Sequence, residues 1–330
     1  MFLGIEIGGT KLQLGVGDGA RAHFEAFERY DVIPKEGAQG ILRQIEASAR
    51  NLSNRFNIER VGFGFGGPVD GATGRVITSH QIEGWTDCPL VDWVQETLGL
   101  PAVLGNDCDC AALAEARYGA GQGHRTVFYI TVGTGVGGGL VIDGHVHGTD
   151  RPAVAEIGHL RPGMAADDSH ATVESLASGW GIAATAWAAL DDAPMRIQDR
   201  LMTHGRPSLA DVDRADLLER CGGDVASLTT LMVGKAAAAG NQGARAIIRS
   251  GTDALGWAVA QMIALVAPDV VVIGGGVSLM GEELFLNPVR EAVGRYVFPP
   301  LADACQLTSP QLGEEVVVHG AVSLGALSRR

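Results

Sequence analysis

The sequence predicts an α/β protein built as two similar halves. Three observations carry this reading. Apolar strand-like segments alternate with stretches of helical apolar spacing, the pattern of layered α/β architectures. A unit of strand, glycine turn and strand occurs twice, in Gly4-Ile5-Glu6-Ile7-Gly8-Gly9-Thr10-Lys11-Leu12-Gln13-Leu14-Gly15 and in Ile130-Thr131-Val132-Gly133-Thr134-Gly135-Val136-Gly137-Gly138-Gly139-Leu140-Val141-Ile142. The 330 residues suffice for two domains, each with its own core.

Taken in order, residues 2–7 and 12–17 read as a hairpin, with His23–Phe27 as a third strand. Ile41, Leu42, Ile45, Ala49 and Leu52 give Ala38–Phe56 the spacing of an amphipathic helix. Val61–Phe65 is a strand running into the turn Gly66-Gly67-Pro68-Val69-Asp70. A helix over Leu90–Leu98 and a strand over Ala102–Leu104 follow, leaving Asn106 and Asp107 at that strand's carboxyl end before the helix Cys110–Tyr118. The second half repeats the pattern with Val127–Val132, Gly138–Ile142 and the hairpin signal Asp143-Gly144. Helices are expected over Leu176–Leu190, Leu231–Ser250 and Asp253–Val266, then a buried strand Val270–Ile273 that ends at Gly274-Gly275-Gly276. Residues 191–226 are polar and without period. Glu315–His319 reads as a last strand and Ala321–Leu327 as a last helix. The boundary between halves falls near Gly119–Gly123, with the C-terminal helix returning to the first half.

Composition narrows the partners. With 46% hydrophobic and 19% charged residues the chain is that of a globular protein, and no transmembrane span is expected. A net charge of −13 argues against nucleic acid or an anionic membrane, so an anion must be held by local amides, a lysine and a metal ion. The 47 glycines sit mostly at strand ends, where turn chemistry uses them. Five cysteines without a CxxC pair read as free thiols of a cytoplasmic protein, and no secretory leader is expected at the N-terminus.

Each candidate site has a plain alternative. Successive amides in a Gly/Thr turn make a nest for phosphate oxygens; either turn alone is also compatible with a simple hairpin. Gly133-Thr134-Gly135-Val136-Gly137-Gly138 matches GxGxxG formally, but a strand follows it where a dinucleotide site needs a helix. Asp107 is placed either to accept a hydroxyl proton as general base or to cap the helix that follows. Glu156 and His159 reach one ligand if helical, or else form a polar turn. Gly274–Gly276 is a packing turn or a place where a flat base lies on backbone.

Seven segments in order resemble the ROK family of sugar kinases and repressors, within the actin-like, hexokinase-like ATPase superfamily. They are Gly4–Lys11, Gly66–Asp70, Gly84-Trp85 with Pro89-Leu90, Asn106-Asp107, Gly133–Gly137, Glu156–His159 and Val272–Gly276. The resemblance implies two RNase H-like domains with a cleft between them, the smaller formed by 1–118 and about 318–330 and the larger by 119–317. It implies an ATP- and Mg²⁺-dependent kinase acting on the C6 hydroxyl of a hexose, most readily glucose, with N-acetylmannosamine, N-acetylglucosamine or fructose as the alternatives. Asp107 becomes the base; Gly67, Gln81, Asn106, Glu156, His159 and Glu174 join it around the sugar. Gly8, Gly9, Thr10, Lys11, Gly133, Thr134 and Gly135 hold the ATP phosphates, and Gly274, Gly275 and Gly276 border the adenosine. A homodimer or homotetramer is implied as well.

Three departures from the family pattern matter. Glu6 stands where an aspartate usually faces Mg²⁺, so metal contact through water is expected. No cysteine lies between His159 and Glu174, so no structural zinc is expected. Gln81 occupies the place of an Asn-Leu-x-Gly-Trp sugar-binding segment. The rival readings are a family repressor, disfavoured by the charge and by the three residues ahead of Gly4, and a sugar-binding protein without catalysis.

Overall fold

The computed structural model describes residues 1–79, 81–149, 151, 153–191 and 194–328. Asp192 and Ala193, in the aperiodic stretch, and Arg329 and Arg330, at the end of the returning segment, lie outside the described residues. Among the described residues two five-stranded sheets carry the fold. The first holds β1 (Phe2–Ile7), β2 (Lys11–Gly17), β3 (Ala26–Asp31), β4 (Arg60–Phe65) and β5 (Ala102–Asn106) in the order β3-β2-β1-β4-β5. The second holds β6 (Thr126–Val132), β7 (Val136–Ile142), β8 (His145–Val146), β9 (Val270–Gly274) and β10 (Gln306–Thr308) in the order β8-β7-β6-β9-β10. The two orders are the same, so the repeated glycine unit marks a repeated topology.

In the first sheet, β1 pairs antiparallel with β2 and parallel with β4, and β4 pairs parallel with β5. Parallel neighbours need crossover connections, supplied by α1 (Gly37–Arg55) and α2 (Leu90–Leu98). The core of α1 is the predicted stripe, with Ile41, Ile45, Ala49 and Leu52 essentially dry. β3 begins at Ala26 and alternates between half-buried and exposed residues, as an edge strand does. It lies three residues beyond the expected start at His23, because pairing with β2 runs from Lys11↔Asp31 to Val16↔Ala26. In the second sheet Asp143 and Gly144, at φ 52° and 76°, form the two-residue turn between β7 and β8.

Helix α3 (Asp107–Tyr118) starts directly at the end of β5. The C-terminal residues form one helix, labelled α8 (Val316–Leu327). The expected strand Glu315–His319 is therefore helical. Val316, Val317 and Val318 are buried where this helix packs on β1, β4 and α3, and burial outweighs the strand preference of three valines. That packing is backbone-close: a Cβ on Gly62 would overlap the carbonyl oxygen of Ala321, and one on Gly320 that of Cys110. Glycine thus serves helix–sheet contact inside elements as well as turns.

The second half holds α4 (Gly179–Leu190), α5 (Thr230–Ala238), α6 (Gln242–Val266) and α7 (Asn287–Tyr296). The break expected at Gly251-Thr252 lies instead at Gly240-Asn241, where Asn241 caps α6 by accepting the Ala244 N–H. Gly251 sits inside α6 because the Leu176 carbonyl approaches there, 3.0 Å from where a Cβ would stand. The aperiodic stretch contains two short helices, Ile197–Leu201 and Asp211–Arg220. Arginines fasten it: Arg196 donates to the Ala184 carbonyl at 3.0 Å, and Arg214 to the carbonyls of Ala189 and Leu190, at the C-terminal end of α4. Asp199, fully buried, pairs with Arg196 at 2.7 Å.

By contact, the chain divides into one compact unit of residues 1–129, 138–155 and 310–330 and another of 130–137 and 156–309. All five cysteines are free, Cys108, Cys110 and Cys221 being buried. No described helix is long and apolar enough to cross a membrane. Gly320→Ala is expected to destabilise the protein by about 3 kcal/mol, since the overlapping carbonyl is backbone and cannot rotate away. Urea denaturation followed by tryptophan fluorescence checks this; an unchanged midpoint would mean that α8 can lift off α3 freely.

Candidate active site

The first glycine turn joins β1 to β2, closed by the Gly8 N–H donating to the Lys11 carbonyl at 3.0 Å. Thr10 at its tip is exposed. Glu6, next to the end of β1, is 6% exposed. Its Oε1 lies 3.3 Å from the Lys11 ammonium, while Oε2 is buried without a hydrogen-bond partner. Burial pushes the Glu6 carboxyl up to about 7, against the opposing pull of Lys11.

Asp107 occupies the first turn of α3, but Asn106 is the cap. The Asn106 Oδ1 accepts the Cys108 N–H at 2.7 Å, and its Nδ2 donates to the Gly67 carbonyl at 3.0 Å. Asp107 Oδ1 accepts that same Cys108 N–H at 2.8 Å, and Oδ2 lies 3.5 Å from where a Cβ on Gly66 would stand. Desolvation raises the Asp107 carboxyl above its ordinary range, the hydrogen bonds from Cys108 opposing it. A carboxylate so placed is a stronger base than one in water. The Gly66-Gly67 loop leaves β4 after Phe65, whose ring meets the buried Trp85 edge-on at 5.1 Å. Gly84-Trp85 thus supports that loop from beneath.

Gln81 packs on Gly9. A Cβ on Gly9 would overlap its amide oxygen, so the side chain lies over the first glycine turn. The residue expected at the sugar thus lies beside the first glycine turn.

The second turn, in the other unit, is a hub of backbone contacts. The Gly133 N–H donates to Gly135 O at 2.9 Å, and Gly179 N–H, at the start of α4, donates to Gly133 O at 2.8 Å. The Glu174 carboxylate accepts the Val136 N–H at 2.8 Å, so it braces the turn. A Cβ on Gly158 would overlap the Val136 carbonyl, which seats the single 3₁₀ turn Ile157–His159 against the same strand. Glu156 begins that turn and the His159 ring is exposed. Gly275, at φ 90°, packs on Val132, and the Val277 N–H donates to Val132 O at 2.8 Å. Gly274 closes β9, while Gly133 and Gly276 have open space where a side chain would be and Thr134 is exposed. Sequence reasoning missed Gly179. Its signal was Ser178, a serine cap whose Oγ accepts the Gly181 N–H at 3.1 Å.

Among the described residues no group of three or more His, Cys, Asp or Glu is arranged to hold a metal by itself. Mg²⁺ does not need one: it keeps several waters and binds through one or two carboxylates plus phosphate oxygens. The orphaned Glu6 Oε2 fits such a second-layer acceptor.

Glu6 has a consequence for stability. Between pH 4.5, its ordinary value, and about 7 the folded protein holds a proton that the unfolded chain has released. The resulting stabilisation is complete below 4.5 and is lost as pH rises through 7, about 3 kcal/mol over the interval. Glu6→Gln, in magnesium-free buffer, is expected to flatten the unfolding midpoint across that window. Equal slopes for both proteins would contradict the assignment.

The chain is similar to known proteins over nearly its whole length. The ROK family pattern matches residues 2–326. The chain is 31% identical over 330 residues to the glucokinase of Halalkalibacterium halodurans, covering 97% of this chain and 93% of that one. The crystal structure of a ROK family glucokinase from Streptomyces griseus, in complex with glucose and AMPPNP, superposes with a TM-score of 0.77 at 31% identity, covering 99% of both chains. ROK hexokinase from Thermus thermophilus gives 0.79 at 27% identity, covering 99% of this chain and 98% of that one. The repeated sheets are those of the actin-like ATPase fold of sugar kinases, and the chain belongs to the ROK family.

Proposed function

We propose that the protein is an ATP-dependent hexose kinase, with glucose as its substrate and the C6 hydroxyl as the acceptor. The observation that carries the reading is Asp107, a carboxylate of raised pKa held on the first turn of α3 beside the Gly66-Gly67 loop. The match over the length of the glucokinase relatives supports the reaction class.

In this reading Asp107 accepts the proton of the sugar hydroxyl as that oxygen attacks the γ-phosphorus, and the bond to the β-phosphate oxygen breaks to release ADP. Phosphoryl transfer asks mostly for positioning and charge neutralisation. The amides of Gly8, Gly9 and Thr10 with Lys11, and those of Gly133, Thr134 and Gly135, are assigned to the phosphates, and Gly274–Gly276 to the adenosine. Mg²⁺, held through water by Glu6, would neutralise phosphate charge. Asn106 already uses both ends of its amide within the protein, so its sugar contacts fall to the remaining lone pair and N–H. Glu156 and His159 complete the sugar assignment, together with Gly67. Glu174 is assigned to it through its second oxygen, the first bracing the turn. Gln81, lying over Gly9, is reassigned from sugar to the phosphate side. The proposal locates the reaction in the cytoplasm, where ATP is made and free thiols such as these stay reduced.

ADP release across a panel of glucose, N-acetylmannosamine, N-acetylglucosamine and fructose tests the substrate. Glucose is expected to give the highest kcat/KM, and no turnover with any sugar would leave a binding protein. Asp107→Asn keeps the shape of the site, so kcat is expected to fall by roughly 10²–10⁴-fold with glucose affinity nearly unchanged. A mutant with near-normal kcat would remove Asp107 from the role of base.

A further inference from the structure

Glu115 lies on α3, eight residues after Asp107, and is completely buried. That separation is about 12 Å along the helix axis, so Glu115 does not share the chemistry of Asp107 directly. Both oxygens of its carboxylate nevertheless have partners. Oε1 accepts the N–H groups of Gln311 at 2.9 Å and Leu312 at 3.0 Å. Oε2 accepts the N–H of Ala120 at 2.7 Å, just past the end of α3. One carboxylate on the helix of the base therefore grips a segment almost two hundred residues further along the chain.

That segment leads to the phosphate turn. Gln311 and Leu312 are followed by the 3₁₀ turn Gly313–Glu315, whose Glu314 carbonyl accepts a hydrogen bond from the Lys11 ammonium at 3.2 Å. The Glu314 carboxylate is fixed in turn by Arg29 of β3 at 2.8 Å. Lys11 is the same ammonium that faces Glu6 at 3.3 Å. A continuous path thus runs from Asp107 along α3 to Glu115, across to 311–314, and on to Lys11 and Glu6. Every link is a hydrogen bond, an ion pair or a stretch of helix, and three hydrogen bonds converge on Glu115. A neutral side chain of the same size accepts through one oxygen only and turns an amide N–H₂ toward N–H donors.

We infer that Glu115 is a positioning residue that holds the Lys11 ammonium in register with Asp107. The kinetic part of this inference rests on the kinase reading; the geometric part does not. The sequence contains three lysines, Lys11, Lys35 and Lys235, so a protein labelled with ¹³Cε-lysine gives three assignable signals. Glu115→Gln is expected to move the Lys11 signal while Lys35 and Lys235 stay in place, and to lower kcat by about 10- to 100-fold. Glu115→Asp, which keeps the charge at shorter reach, is expected to move Lys11 in the same direction by less and to recover part of the rate. It also serves should the glutamine variant fail to fold. An unmoved Lys11 signal, or equal movement of all three lysines, would overturn the inference. If the wild-type protein phosphorylates no sugar, the kinase reading falls, and the Lys11 signal still decides what Glu115 does.

Discussion

Asn106 joins the carboxyl end of β5, the first turn of α3 and the loop after β4 through one side chain. Its Oδ1 takes the Cys108 N–H and its Nδ2 reaches the Gly67 carbonyl. An N-cap of this kind stabilises a helix by about 1 kcal/mol, a modest term for the fold as a whole. Its value here lies in what it leaves to its neighbour. Asn106 and the Asp107 Oδ1 share the Cys108 N–H, and the Asp107 carboxylate is held where desolvation raises its basicity against that hydrogen bond. The helix behind it is fixed at the far end by Glu115 and along its flank by α8.

The two glycine turns differ in how they are held. The first has a charged partner set, Glu6 and Lys11, and two backbone hydrogen bonds, from Gly8 to Lys11 and from Val32 to Thr10. The second is fixed by backbone contacts from three directions, from Gly179, Gly158 and the Gly275–Val277 segment, with the Glu174 carboxylate on the Val136 amide. A turn held by charge responds to metal and phosphate, while one held by packed backbone offers a rigid row of donors.

Much of the fold was legible because strand and helix periods are local properties. The stripe of Ile41, Ile45 and Leu52 and the Asp143-Gly144 turn declare themselves within a few residues. The failures share a non-local cause. Val316–Val318 look like a strand until the sheet and α3 bury them in a helix, and Gly251 looks like a break until the Leu176 carbonyl is seen against it. The short strand Gln306–Thr308 exists because β9 offers it an edge. The stretch after residue 190 is fastened by arginines to helix carbonyls, and no apolar period could reveal that. The placement of Asn106 and Asp107 at a strand end was readable from the sequence. The contacts of Gln81 with Gly9 and of Glu174 with Val136 were not, since they depend on how distant loops fold back.

The account depends on Asp107 being a desolvated and therefore strengthened base. Titration of ¹³Cγ-labelled aspartate by NMR, with the Asp107 resonance assigned through Asp107→Asn, measures this directly. The account predicts a midpoint above the ordinary aspartate value of 3.8. A midpoint at or below 3.8 would contradict it, marking Asp107 as a carboxylate stabilised by its helix and not poised for proton transfer.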